Sequence, residues 1–153
     1  MLKKLTLILS ITLSLALTAT SSSSAEEAMK MTIYKTPWCG CCGFWTEAMK
    51  QAGYEVEVHD MDDVSEIKKQ FGVAEPMQAC HTARVGGYTV EGHVPLEAIT
   101  KLLADKPDIA GISVPGMPMG SLGMGYNPAA QYNVYAYKAD SADQSNIFYK
   151  AGE

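Results

Sequence analysis

The sequence of 153 residues has few basic side chains and no cluster of them. Lys and Arg total 12 against 17 Asp and Glu, so the formal net charge is −5. Without a basic block the chain is a poor match for a phosphate backbone or an anionic lipid surface, so we expect neither nucleic acid nor a membrane as a partner. The 47% of hydrophobic and 19% of charged residues are typical of a globular domain and exclude a disordered chain.

The sequence also lacks a hydrophobic run long enough for a comfortable membrane span. The apolar stretch 5–17 follows two lysines and leads through a serine-rich stretch to Ala25, which is the layout of a secretory signal peptide. We therefore predict a signal peptide over residues 1–25, with an uncleaved anchor helix as the alternative. No cysteine stands at the cleavage point, so no lipid anchor is expected. The mature chain, with 10 basic and 17 acidic residues, would then work in the oxidising periplasm.

The first part of the mature chain alternates between strand and helix patterns. Short β-branched runs such as 31–34 precede segments such as 44–52, whose apolar residues recur at helical spacing. Gly86 and Gly87, between two further strand-like runs, predict a hairpin. The resulting order, β-α-β-α-β-β-α, is that of the thioredoxin fold. We predict an α/β domain over residues 26–110, with a thioredoxin-like mixed sheet flanked by helices.

The composition changes after residue 110. Residues 111–128 are rich in Gly, Pro and Met, which predicts a loop that is neither a regular helix nor a central strand. Residues 129–153 alternate aromatic or apolar residues with polar ones, which predicts a C-terminal β-hairpin extension.

Three cysteines, Cys39, Cys41 and Cys42, lie within four positions between the first strand and the first helix. A helix N-terminus favours thiolates, which both attack disulfides and bind metals. A dithiol catalyst needs only two sulfurs, whereas a thiophilic metal gains from every added donor. Cys80, at the start of the third strand, is predicted to face this loop. A structural disulfide from Cys39 or Cys42 to Cys80 is the alternative. Three cysteines within four positions are nevertheless poorly placed for structural disulfides, because bonds among them close almost no chain.

Further donor residues follow Cys80. Because side chains alternate along a strand, we expect either Cys80 or the adjacent His81, and not both, to face a metal. His93, at the end of the next strand, is a further candidate ligand or a capping residue. Met117 and Met119 carry thioethers that favour Cu(I), with core packing as the alternative role of a methionine.

Copper, as Cu(I), is the predicted metal. A zinc site would normally use two separated C-x-x-C or C-x-x-H pairs, and the second pair is missing here. An iron–sulfur cluster needs assembly machinery that is absent outside the cytoplasm. More than one copper ion can be accommodated, because bridging thiolates can share ions.

Several of these motifs together resemble a bacterial family long described as a domain of unknown function with suspected metal binding. That family includes the periplasmic copper-resistance proteins called CopG. The resemblance spans about residues 31–126 and is carried by residues 34–42, 80–82, 91–95 and 114–121. It implies a thioredoxin-like fold, a Cys-X-Cys-Cys copper site and a role in copper or silver resistance. The metal-site residues that match the family are Cys39, Cys41, Cys42, Cys80, His81, His93, Met117 and Met119.

We therefore predict a periplasmic copper-binding protein of copper or silver resistance and homeostasis, with periplasmic copper chaperones or efflux components as partners. The alternative is a periplasmic thiol–disulfide oxidoreductase that uses Cys39 and Cys42, so the sequence leaves open whether the protein is an enzyme. The third possibility is a binding domain that is stabilised by disulfides and whose terminal hairpin binds a partner.

Overall fold

The computed structural model describes residues 29–141, 143 and 146–153, and within them seven strands form one mixed sheet. The predicted signal peptide, 1–25, lies outside the described residues. The order across the sheet is β2-β1-β3-β4-β5-β6-β7. The β1–β2 and β4–β5 pairs are parallel, and the remaining pairs are antiparallel. The strands are β1 Lys30–Lys35, β2 Glu55–Asp60, β3 Thr82–Val85, β4 Tyr88–Gly92, β5 Gly111–Val114, β6 Tyr132–Tyr137 and β7 Ile147–Ala151.

Helices provide the two parallel crossovers. Helix α1 (Gly40–Gln51) connects β1 to β2, and α3 (Leu96–Asp105) connects β4 to β5. The short helix α2 (Ser65–Gln70) and a 3-10 turn over Glu75–Met77 lead from β2 to β3. This confirms the predicted order, the mixed sheet flanked by helices and the C-terminal hairpin, β6–β7. None of the helices in the described part of the chain is long and apolar enough to cross a bilayer.

One apolar core holds these elements together. Helix α1 contributes Trp45 and Met49, α3 contributes Leu102, and the central strands contribute residues such as Ile33 and Val90, all fully buried. Burial of each large side chain contributes roughly 1.5–3 kcal/mol. Because α1 is fixed by its own core contacts, its N-terminal turn, which carries the cysteines, has a defined position.

The prediction that residues 111–128 contain no central strand is wrong at the start of this segment. Gly111–Val114 forms β5 between β4 and β6. All four residues are buried, so the alternation that would have revealed a strand is absent. A Cβ on Gly111 would lie 2.2 Å from the Thr89 carbonyl oxygen, so this position requires glycine for a close approach of two strands. The chain from Pro115 to β6 is irregular.

Candidate metal centre

The cysteine loop joins the end of β1 to the start of α1. The Cys39 N–H donates to the Thr36 carbonyl at 3.1 Å, and the Gly43 N–H donates to the Cys39 carbonyl at 3.2 Å, so the loop turns directly into the helix. Cys39 and Cys42 form a disulfide three residues apart. The Cys42 side chain is fully buried, whereas Cys39 is partly exposed. The sulfur atom of Cys39 is therefore the accessible end of this disulfide.

All four cysteine sulfur atoms converge at this turn. The Sγ atoms of Cys39, Cys41, Cys42 and Cys80 lie within 4.8 Å of one another. Cys41 and Cys80 are free thiols, and Cys41 Sγ is 3.5 Å from Cys39 Sγ. The structure thus confirms that Cys80 faces the cysteine loop. The alternative disulfide, from Cys39 or Cys42 to Cys80, is not the one formed.

Both Cys80 and His81 face the same cluster, so the prediction that only one of them does so is wrong. Cys80 Sγ lies 3.4 Å from His81 Nδ1, and the ligand atoms of Cys80, His81 and His93 lie within 4.8 Å of one another. The strand begins only at Thr82, so residues 80 and 81 are outside the extended backbone in which side chains alternate.

His93 is the partner of Cys80. Its Nδ1–H donates to the Leu122 carbonyl at 2.7 Å, which leaves the Nε2 lone pair facing Cys80 Sγ, 3.0 Å away. Burial lowers the pKa of His93, so its ring is neutral. Burial and the adjacent Cys41 raise the pKa of the Cys80 thiol to about 12. The thiol therefore donates to the imidazole, and a metal that binds both atoms displaces that proton.

His81 is a fully buried imidazole with one free nitrogen. Its ring packs on Trp45 with 4.5 Å between centroids and meets the His93 ring edge-on at 5.2 Å. Burial, and next the neighbouring His93, hold its pKa well below the usual range, so the ring stays neutral. Among the described residues, its Nε2 has no hydrogen-bond partner. A buried polar atom without a partner is costly, and a water molecule would remove that cost.

The predicted methionine ligands have side chains that are largely open to solvent. Met117 is 53% exposed and Met119 is 78% exposed. Their role as ligands stays a prediction.

The same irregular segment covers the centre through Leu122 and Gly123. Gly123 has a φ of +87°, and a Cβ there would lie 2.7 Å from the Cys41 carbonyl oxygen and 3.1 Å from His93 Nδ1. Gly123 thus allows the loop to approach the cysteine turn closely enough for Leu122 to accept the hydrogen bond from His93.

Replacing Gly123 with alanine is expected to destabilise the protein by about 1–3 kcal/mol, because it adds both backbone strain and a steric clash. Gly125→Ala is a matched control: its φ is +69°, but its Cβ would meet nothing within 4 Å. In thermal unfolding we expect Gly123→Ala to lower Tm by clearly more than Gly125→Ala. Equal losses would show that the loop does not press on the cysteine turn.

Sequence reasoning missed a buried polar group behind Cys80. The Glu91 carboxylate has no exposed surface and accepts hydrogen bonds from Lys68 Nζ at 2.5 Å and Thr82 Oγ1 at 2.6 Å. Two signals could have revealed it. Glu91 is the one charged residue of the strand Tyr88–Gly92, and Lys68 is four residues after Val64, on the apolar face of α2.

The donor atoms form two overlapping groups that share Cys80. One group has four sulfurs, and the other has one sulfur and two imidazole nitrogens. Thiolate sulfur and imidazole are soft and borderline donors that suit Cu(I) and Zn²⁺ better than Mg²⁺ or Ca²⁺. The residues present therefore fit a thiophilic metal ion, and the shared sulfur can bridge two ions.

Comparisons with known proteins point to copper. A family model described as "Protein of unknown function, DUF411" matches residues 77–124. A solved structure of copper resistance protein CopG, form 1, is 33% identical with a TM-score of 0.72, and the match covers 83% of this chain and 100% of that one. Form 2 of the same protein is 34% identical with a TM-score of 0.70, and the match covers 79% of this chain and 96% of that one.

No match was found among curated protein sequences. The CopG structures nevertheless match this chain in fold. The family model matches the segment from residue 77 to 124, which supplies Cys80, His81, His93 and the loop over them. Since this chain covers the whole of a relative at 33% identity, it belongs to the CopG-like family of copper-resistance proteins.

Proposed function

We propose that this protein is a periplasmic copper-binding protein that holds Cu(I) through the thiolates of Cys39, Cys41, Cys42 and Cys80. The observation that supports this most directly is the convergence of four sulfur atoms within 4.8 Å. Such a sulfur-rich set favours the soft ion Cu(I), and also Ag(I), over harder divalent ions. His81 and His93 add nitrogen donors beside Cys80, so a second copper ion can share the Cys80 sulfur.

The disulfide makes the proposed binding dependent on redox state. A disulfide sulfur is a poor metal ligand, so the bond between Cys39 and Cys42 must accept two electrons, which gives two thiolates, before all four sulfurs can bind a metal. In the reverse direction, oxidation of two thiolates to this disulfide releases two electrons. These are enough to reduce two Cu(II) ions to Cu(I). The site can therefore couple thiol oxidation to copper reduction.

The proposed location follows from the predicted signal peptide. In the periplasm the protein would receive or deliver copper through chaperone or efflux components. Met117 and Met119 are exposed thioethers on the same irregular segment as Gly123, which approaches the cysteine turn. They are proposed as accessory donors for the incoming ion, because thioethers bind Cu(I) without having to lose a proton.

A thiol–disulfide oxidoreductase is the second candidate. It is favoured by the disulfide itself, which lies at the N-terminus of α1 with Cys39 accessible and Cys42 buried. This function leaves Cys80, His81 and His93 without a role.

Metal content and free thiols, measured on the mature protein purified anaerobically after expression with copper, test the proposal. We expect at least one copper ion per chain. The absence of copper, with a disulfide formed and insulin reduced by the metal-free protein, would contradict the proposal and support the oxidoreductase. Zinc in place of copper would also contradict it.

A further inference from the structure

A buried carboxylate lies directly behind the segment that carries Cys80 and His81. Glu91, in β4, accepts hydrogen bonds from Lys68 Nζ and Thr82 Oγ1, and its Oε1 also accepts the Ala79 N–H at 2.7 Å. Thr82 Oγ1 in turn accepts a hydrogen bond from Lys68 Nζ at 3.0 Å. We call Lys68, Thr82 and Glu91 the carboxylate cluster. Its contacts at Ala79 and Thr82 bracket the two metal-ligand candidates.

The backbone of β4 holds the same segment from a second side. The Gly92 N–H donates to the His81 carbonyl at 3.0 Å. A Cβ on Gly92 would lie 2.5 Å from Ala79 Cβ, so the segment packs directly on the strand. Residues 79–82 are thus held at their first residue, at the His81 carbonyl and at their last side chain.

The desolvation cost of the carboxylate cluster makes it a poor source of stability for the fold. Each ion taken out of water costs several kcal/mol, and the attraction between two buried charges offsets this only when hydrogen bonds satisfy the remaining atoms. Replacement of such a pair by apolar side chains is often neutral or stabilising. An apolar pair could not, however, accept the Ala79 N–H or bind the Thr82 hydroxyl. The charged pair adds directional hydrogen bonds that fix both ends of the segment 79–82.

We propose that Lys68, Thr82 and Glu91 are positioning residues that hold Cys80 and His81 against Cys41 for metal binding. The proposal rests on the proposed copper-binding function. In this role Glu91 does not touch the metal; it sets where the Cys80 sulfur lies relative to the Cys41 sulfur. Without Glu91, residues 79–82 would sample several positions, and the sulfur atoms of Cys41 and Cys80 would be in contact for a smaller fraction of the time.

The positioning role can be tested without metal. In a Cys39→Ser/Cys42→Ser background only Cys41 and Cys80 remain, and diamide oxidises the two thiols to a disulfide while it is itself reduced to the hydrazine. We expect Glu91→Gln and Thr82→Val to slow this disulfide formation at least tenfold. Thr82→Ser keeps the hydroxyl and should retain the parent rate.

Leu102→Ala controls for a general loss of stability, because Leu102 is buried in the core on α3 and has no part in the carboxylate cluster. It is expected to lower Tm without slowing the oxidation. An unchanged rate in folded Glu91→Gln and Thr82→Val, or an equal slowing in Leu102→Ala at the same loss of Tm, would overturn the proposal.

The consequence for copper is measured separately, in the reduced protein with all four cysteines. There we expect Thr82→Val to weaken Cu(I) affinity at least tenfold and Thr82→Ser to leave it unchanged. If the parent binds no Cu(I) but Glu91→Gln and Thr82→Val still slow the oxidation, the positioning of Cys80 is confirmed and the copper-binding function is overturned. If the parent binds Cu(I) and neither the oxidation rate nor the affinity responds to Thr82→Val, the positioning role is overturned and copper binding stands.

Discussion

Replacing both Cys39 and Cys42 with serine is expected to abolish tight Cu(I) binding. The double variant removes two of the four sulfur donors that lie within 4.8 Å of one another. A serine hydroxyl is a hard, protonated group and does not replace a thiolate as a ligand for Cu(I). A loss of about 4 kcal/mol in binding free energy, equivalent to about three orders of magnitude in Kd, is the expected scale.

The measurement is a competition titration with a Cu(I) chelator under anaerobic, reducing conditions. The double variant cannot form the native disulfide, so weaker binding could not be attributed to oxidation of these two sulfurs. Lys101→Ser, at an exposed position on α3, is the control for purification and handling, and its affinity should equal that of the parent. Unchanged affinity in the double variant would exclude Cys39 and Cys42 as ligands.

Closing the Cys39–Cys42 disulfide is expected to have a comparable effect in the unmodified chain. Two free thiols remain in the oxidised protein, and four are present after reduction. The oxidised form keeps only Cys41 and Cys80 as thiols, supported by the two histidines. We therefore expect reduction to raise Cu(I) affinity by at least about a hundredfold, or about 3 kcal/mol.

A thiol count and a Cu(I) titration on the same oxidised and reduced samples provide this comparison. The Cys39→Ser/Cys42→Ser variant is the matched control: in samples whose thiol count shows Cys41 and Cys80 both free, its residual affinity should be the same before and after mild reduction, because it has no native disulfide to open. Equal affinity of the oxidised and reduced parent protein would show that the disulfide does not control metal binding.

The local elements could be predicted because neighbouring residues determine them. Strand β1 has a β-branched, apolar run, and α1 has apolar residues at helical spacing. Strand β5 could not be found in this way, since all four of its residues are buried and it is followed by a proline and glycine-rich stretch. Its place in the sheet depends on two neighbouring strands, β4 and β6, the second of which begins 18 residues after β5 ends.

The limits of sequence reasoning at the site have a similar origin. Alternation along a strand assigned Cys80 and His81 to opposite sides, but it applies only to extended backbone, and β3 begins one residue later. His93 is an unremarkable strand-end histidine in the sequence. It joins the centre because the Leu122 carbonyl, 29 residues away, orients its ring.

By itself, the sequence determined the chemistry available: three clustered cysteines at a strand-to-helix junction, a fourth cysteine next to a histidine, and the element order that brings strand and helix termini to one side of a sheet. Only the tertiary structure decided which of these groups meet, which two sulfurs are bonded, and that a buried carboxylate lies behind Cys80. The physical reason is that residue types and local spacing set the donor atoms and the backbone preferences. Distances between sulfur and nitrogen atoms instead depend on packing between segments far apart in the chain.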